Sequence, residues 1–195
     1  MKINQDSLLL RFLKFLVERL KLRDFILRHI YYSPVLLVIL TNFNRLRIKQ
    51  IDLMIIIWPP AQNLAMEIGQ DISKKSTVLE CREFNICSAK FFDLVRSIYT
   101  VDKASQEKIT YKLGRLMRDS CLIHVFWVRI YKPTMEAKDL SNHMRCREIT
   151  QLKSRIREKY KSKVPNYVHD IIVHSTEAEF QNDIVAKLIV DAEMR

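Results

Sequence analysis

Two glycines, Gly69 and Gly114, are all that this 195-residue chain contains. The P-loop and the dinucleotide-binding turn of the Rossmann fold each need several glycines, because the backbone itself must close on the phosphates. Both are therefore excluded, and any phosphate must be held by side chains and helix ends. The length suits one domain, or one domain with an extension, and is enough to bury a real core.

Charge divides the chain. Residues 1–49 carry ten Lys or Arg against Asp6, Glu18 and Asp24, a net +7 out of the total of +11. A second basic cluster runs from Arg145 to Lys163. Such asymmetry favours an anionic partner: a nucleotide, nucleic acid or an acidic membrane surface. A merely solvated basic surface, with Glu148 and Glu158 as local partners along a helix, is the competing reading. The four cysteines form no C-x-x-C pair and lack zinc spacing, so they read as reduced thiols of a cytoplasmic protein with no metal site. No apolar run reaches the length of about 20 residues that spans a bilayer. Arg11 and Lys14 interrupt the leucine-rich start, so no secretory signal is expected.

Hydrophobic spacing predicts the elements. Leu9, Phe12, Leu13, Leu16 and Leu20 recur at helical spacing, giving a basic amphipathic helical arm over 1–49 with a break at Ser33-Pro34. The apolar stripe of this arm makes self-association, and hence a homo-oligomer, an expectation. A buried strand follows at 51–57, continuous but for Asp52, and ends at Pro59-Pro60. Beyond it the patterns predict a helix at 61–74, a strand at 77–86 and helices at 88–98 and 105–117. The rest reads as a strand at 121–131, a charged helix from 139 or 141 to 161, a strand at 167–173 and a helix at 176–192. The domain at 50–195 is then α+β, an α/β sandwich with a four-stranded ferredoxin-like sheet and helices on it. A doubly wound parallel α/β sheet is the alternative that periodicity leaves open.

The most suggestive local stretch is Asp170-Ile171-Ile172-Val173-His174-Ser175-Thr176-Glu177. An apolar strand delivers His174 to a helix start, where Thr176 and Glu179 have capping-box spacing. That places an imidazole beside a natural anion site.

Three local matches make the chain resemble the nucleoside diphosphate kinase family over roughly 50–192. That family opens its first strand with an apolar run into K-P-D-A, where this chain has Ile55-Ile56-Ile57-Trp58-Pro59-Pro60-Ala61. It carries I-R-x-x-F/Y upstream of its active histidine, and here stand Ile156-Arg157-Glu158-Lys159-Tyr160. It ends its last strand with N-x-x-H-G-S-D, and here stand Val173-His174-Ser175-Thr176-Glu177. The resemblance implies a neutral imidazole that takes a phosphoryl group from one nucleotide and passes it to another. His174 would be the nucleophile, Arg157 a phosphate ligand and Glu177 the acid near the histidine, with Mg²⁺ carried by the nucleotide's own phosphates. Trp58 stands where the family has a phosphate-touching lysine, Pro60 where it has aspartate, Ile171 for asparagine and Ser175 for glycine. A second register, through Asn166-Tyr167-Val168-His169, leaves open whether His169 or His174 is the functional histidine.

These readings give a candidate site. His174 and Glu177 are its catalytic candidates, and Arg157, Arg155, Tyr160, Ser175, Thr176 and Trp58 its ligand-binding candidates. Its expected function is phosphate-ligand binding, with phosphoryl transfer as the reaction if the chain is an enzyme. Two alternatives stand beside it: a non-enzymatic basic protein that grips nucleic acid or an anionic membrane through its clusters, and a degenerate kinase-like scaffold.

Overall fold

The computed structural model describes residues 48–102, 104–116, 121–138, 143–168 and 171–193. The expected arm lies outside these residues except for Ile48 and Lys49, and so does His169. The chain divides into two units, 47–136 with 145–195, and 1–46 with 137–144. The first carries the sheet and its helices.

In chain order the elements are β1 (Gln50–Ile57), α1 (Ala65–Ser73), β2 (Thr77–Asn85), α2 (Ser88–Val101), α3 (Gln106–Leu116) and β3 (Leu122–Tyr131). They continue with β4 (Met135–Lys138), β5 (His143–Cys146), α4 (Arg147–Tyr160), β6 (Val173–Ser175) and α5 (Phe180–Ala192). Four strands make one sheet in the order β2-β3-β1-β6, and every neighbouring pair is antiparallel. The fold is thus α+β, and the parallel doubly wound alternative does not form. β1 and β2 point the same way with β3 between them, a split β-α-β arrangement closed by α1. β4 and β5 pair as a separate ribbon.

β1 is central because it is apolar on both faces. Leu53 through Trp58 are each at most 1% exposed, which requires helices on both sides of the sheet. Its one charged residue, Asp52, sits near the strand's start and takes two hydrogen bonds of 2.7 Å from the Arg129 guanidinium directly across on β3. On one face α1 comes so close that a Cβ added at Gly69 would lie 3.0 Å from the Phe126 ring. α1 is tied in turn to α4. Asp71 accepts hydrogen bonds from Lys159, from Lys74 (2.9 Å) and from the Tyr160 hydroxyl (2.9 Å), and Glu67 accepts one from Lys163 (2.7 Å). On the other face α2 supplies Phe91, Leu94, Val95 and Ile98, all buried.

Several expected boundaries move. The helix expected at 61–74 begins as a 3-10 turn over Pro59–Leu64, with Ala61 N–H donating to Trp58 O (2.9 Å), and only Ala65–Ser73 is α-helical. The helix expected from 139 or 141 starts at Arg147, because His143–Cys146 is strand β5. The last strand is Val173–Ser175 instead of 167–173. Its limits are set by where it can pair with Ile55–Ile57, a non-local partner that periodicity does not report. The final helix starts at Phe180 and not at 176.

Two experiments check this packing. Gly69→Val should destabilise the protein by about 1–3 kcal/mol through overpacking against Phe126. Gly114→Ala, where an added Cβ meets nothing within 4 Å, should stabilise it by about 0.4–1 kcal/mol, both read from urea unfolding. The hydrogen bonds from Lys159 and Lys74 hold the Asp71 carboxyl far below its ordinary value of 3.8. A carboxyl depressed on folding stabilises above its unfolded pKa and loses that stabilisation as pH falls toward the folded one. The urea midpoint of the wild type should therefore drop below pH 4 by more than that of Asp71→Asn.

Candidate functional site

His174 lies at the middle of β6, opposite Ile56 of β1. It is 3% exposed. Alternation along β1 puts Met54, Ile56 and Trp58 on the same face as His174, and the backbone N–H of Trp58 reaches Ile172 O at 3.0 Å. There the rings gather. Tyr99 of α2 meets the His174 ring edge-on at 4.9 Å between centroids, and Trp58 lies 6.2 Å from it. Trp58 is itself stacked with Tyr99 and edge-on to Phe91, each at 6.3 Å. Lys112 of α3 covers the outer side of Tyr99, its Nζ 4.3 Å from the ring centre. The Trp58 indole is fully buried, and its Nε1 has no hydrogen-bond acceptor among the described residues.

The acid beside the histidine is Asp102, at the end of α2. Its Oδ2 lies 3.3 Å from His174 Nε2. Its Oδ1 accepts from Gln181 Nε2 (3.2 Å), and Gln181 Oε1 accepts the backbone N–H groups of Glu177 (2.7 Å) and Ala178 (3.0 Å). Gln181, on the first turn of α5, thus joins the Asp102 carboxylate to the chain that leaves β6. The sequence offered no sign of Asp102 beyond a polar joint between two helices, since the contact is long-range and no motif spacing carries it.

Glu177, the acid implied near the histidine, is engaged elsewhere. Its carboxylate lies 3.6 Å from Lys153 of α4, both side chains largely buried, and its carbonyl accepts Cys146 N–H (3.3 Å). Thr176 does not cap a helix. Its hydroxyl accepts the buried N–H of Met54 (2.8 Å) and donates to Asn182 Oδ1 (2.8 Å), while Asn182 Nδ2 donates to Asp52 O (2.7 Å). The expected capping box is therefore replaced by a knot that ties β1 to α5, and this is why the helix begins later.

Arg157 sits against β6 from α4, its Nη2 donating to Val173 O at 2.9 Å. Alternation turns Val173 and Ser175 to the face shared with Ile55 and Phe126, the face of α1 and α4, while His174 turns to α2. Arg157 and His174 thus approach β6 from opposite sides. Ser175 is fully buried and its Oγ finds no hydrogen-bond partner among the described residues. Tyr160 is 0% exposed and occupied by Asp71, with Lys159 and Lys163 lying 5.0 and 5.3 Å from its ring centre. Arg155 is exposed on α4.

Much of the second basic cluster is neutralised by the fold. Arg145 and Arg147 lie by Glu136, Lys153 by Glu177, Lys159 by Asp71, Lys161 by Glu158 and Lys163 by Glu67. Among the described residues no group of three or more His, Cys, Asp or Glu is placed to hold a metal ion. No described helix is long and apolar enough to cross a membrane. The Cys146 thiol is pushed up to about 12 by burial and is unreactive as a nucleophile. A groove of about 480 Å³ along α5 is lined by Asp183, Ile184, Lys187, Leu188 and Asp191. A scan against protein-family models and a search of curated proteins both find no match to this chain.

The knot at Thr176 gives a direct check. Thr176→Val keeps the shape but leaves the buried Met54 N–H without its side-chain acceptor. Urea unfolding should register a loss of about 1–3 kcal/mol.

Proposed function

We propose that this chain is a non-catalytic binding module, a kinase-like scaffold whose phosphoryl-transfer pole is closed, and that it holds an anionic partner by charge. The observation that carries this reading is Trp58. At the place where the resemblance requires a lysine reaching phosphate stands an indole that is fully buried, stacked on Tyr99 and set beside His174. The space a nucleotide's phosphates would need is occupied by the chain's own rings. One imidazole nitrogen, Nε2, already faces a carboxylate, and a phosphate brought beside it would meet Asp102 with like charge.

The anionic partner follows from charge. The net +7 of residues 1–49 is the larger of the two basic totals, and the denser cluster at 145–163 is mostly committed to internal ion pairs. Nucleic acid and acidic membrane surfaces are the two polyanions such a segment suits. Binding should fall linearly in log K against log salt.

A second reading, phosphoryl transfer through His174, draws support from the Asp102 contact, since a carboxylate on one imidazole nitrogen can orient the ring and raise its basicity. It requires the turn after α2 to lift away and let a nucleotide in, with Mg²⁺ arriving on the nucleotide.

One experiment separates the two. Wild type and His174→Ala are incubated with ATP or GTP radiolabelled at the γ-phosphate, and both are tested for binding to duplex DNA and to phosphatidylserine vesicles over a salt series. The scaffold reading predicts no acid-labile label on either protein and salt-sensitive binding to one polyanion that survives His174→Ala. Label on wild type alone would overturn it in favour of phosphoryl transfer.

A further inference from the structure

β2 is an outer strand of the main sheet. β3 pairs with one of its edges, and no described strand of that sheet pairs with the other. Along Thr77–Asn85 seven of the nine side chains are exposed, so little else shields it. Natural edge strands are blunted by charged side chains, proline or bulges; this one carries Glu80, Arg82, Glu83 and a bulge between Val78 and Glu80, but no lysine or proline.

The outward backbone groups can be identified. Ile86 N–H points inward to Cys121 O (3.2 Å), while Cys87 N–H points outward to Ala192 O (3.0 Å). Pairing with β3 runs without a shift from Asn85 back to Glu80, the only irregularity falling between Val78 and Glu80. Alternation then sends the N–H and C=O of Glu83 and Cys81 outward. The C-terminal segment closes this edge only at its end, through the bridge from Ile86 to Glu193.

The side chains on this edge are self-complementary about Cys81. If the strand is turned through a two-fold axis at that residue and laid antiparallel to itself, Glu80 falls opposite Arg82 and Arg82 opposite Glu80. The complementarity covers Glu80–Arg82, because the bulge between Val78 and Glu80 breaks the alternation beyond it. No like charges face each other, and opposite charges directly across a ladder are stabilising. Within one copy Arg82 Nε already donates to Glu80 Oε1, so the pairing would make a ring of four alternating charges. We infer that β2 pairs with β2 of a second copy of this chain, antiparallel across a two-fold axis at Cys81, joining two four-stranded sheets into one. Such an isologous contact closes on itself and does not propagate, and the main-chain hydrogen bonds are those of strand addition. Cys81 exchanges both backbone hydrogen bonds with its symmetry mate. That fixes the two Cα atoms at about 5.5 Å, within the range a disulfide spans.

The test is the mass of the full chain by sedimentation equilibrium, with far-UV circular dichroism as the check on folding. Wild type is expected at dimer mass, Arg82→Glu and Glu80→Arg each at monomer mass, and Glu80→Arg/Arg82→Glu at dimer mass again, since the swap restores complementarity. Mild oxidation with diamide is expected to give a covalent dimer from wild type and none from Cys81→Ser. A monomeric wild type would overturn the proposal. So would a dimer that persists in Arg82→Glu, a charge swap that stays monomeric, or a covalent dimer still formed by Cys81→Ser.

Discussion

Everything in the described fold depends on the burial of β1 on both faces. A strand with Leu53 through Trp58 out of water must have its backbone paired on both edges and its side chains covered above and below. β3 supplies one edge along the whole strand, and the three-residue β6 supplies the other at its C-terminal end. Beyond β6 the pairing is continued at one end by Trp58 N–H on Ile172 O, and at the other by Thr176 N–H on Met54 O with Met54 N–H on the Thr176 hydroxyl. β6 is short because β1 needs it only there. Its brevity fixes where His174 stands, which way it faces and which helix covers it.

The same constraint explains why rings crowd around the histidine. Trp58 continues the row of Met54 and Ile56 on the α2 face, so a large ring must be accommodated just where β1 meets β6. Phe91 and Tyr99 come from α2 to meet it, and His174 completes the cluster. The polar side of this arrangement is satisfied in sequence, from His174 to Asp102, from Asp102 to Gln181 and from Gln181 to the backbone of 177–178. A chain of hydrogen bonds in a buried region is costly to interrupt at any one member, so opening His174 to a ligand would disturb several partners at once.

What the sequence revealed depended on how local the signal was. β1, β3 and the helices α2 and α3 fall close to where apolar runs and helical spacing put them, because each carries its own periodicity. β6 and the start of α5 did not, because the segment that forms β6 is apolar for longer than it is paired. The hydroxyl of Thr176, which reads as a helix cap, is taken by a strand far away in sequence. β5 was invisible because the alternation of His143–Cys146 lasts only four residues and runs directly into the helical pattern of α4. At the site, Trp58 and His174 were grouped only through the family resemblance, which put both in one candidate site. The placement of Arg157 on the far side of β6, and of Asp102 on the histidine, depends on which face each residue turns to, and spacing along the chain does not encode that.

On the proposed reading His174, 3% exposed, is locked beneath its neighbours and does not act as a nucleophile. Modification by diethylpyrocarbonate, located by peptide mass, tests it directly because the reagent attacks accessible neutral imidazole. His174 should stay unmodified in the native protein and react readily once the protein is unfolded in urea. Modification of His174 in the native protein at the rate seen after unfolding would contradict it.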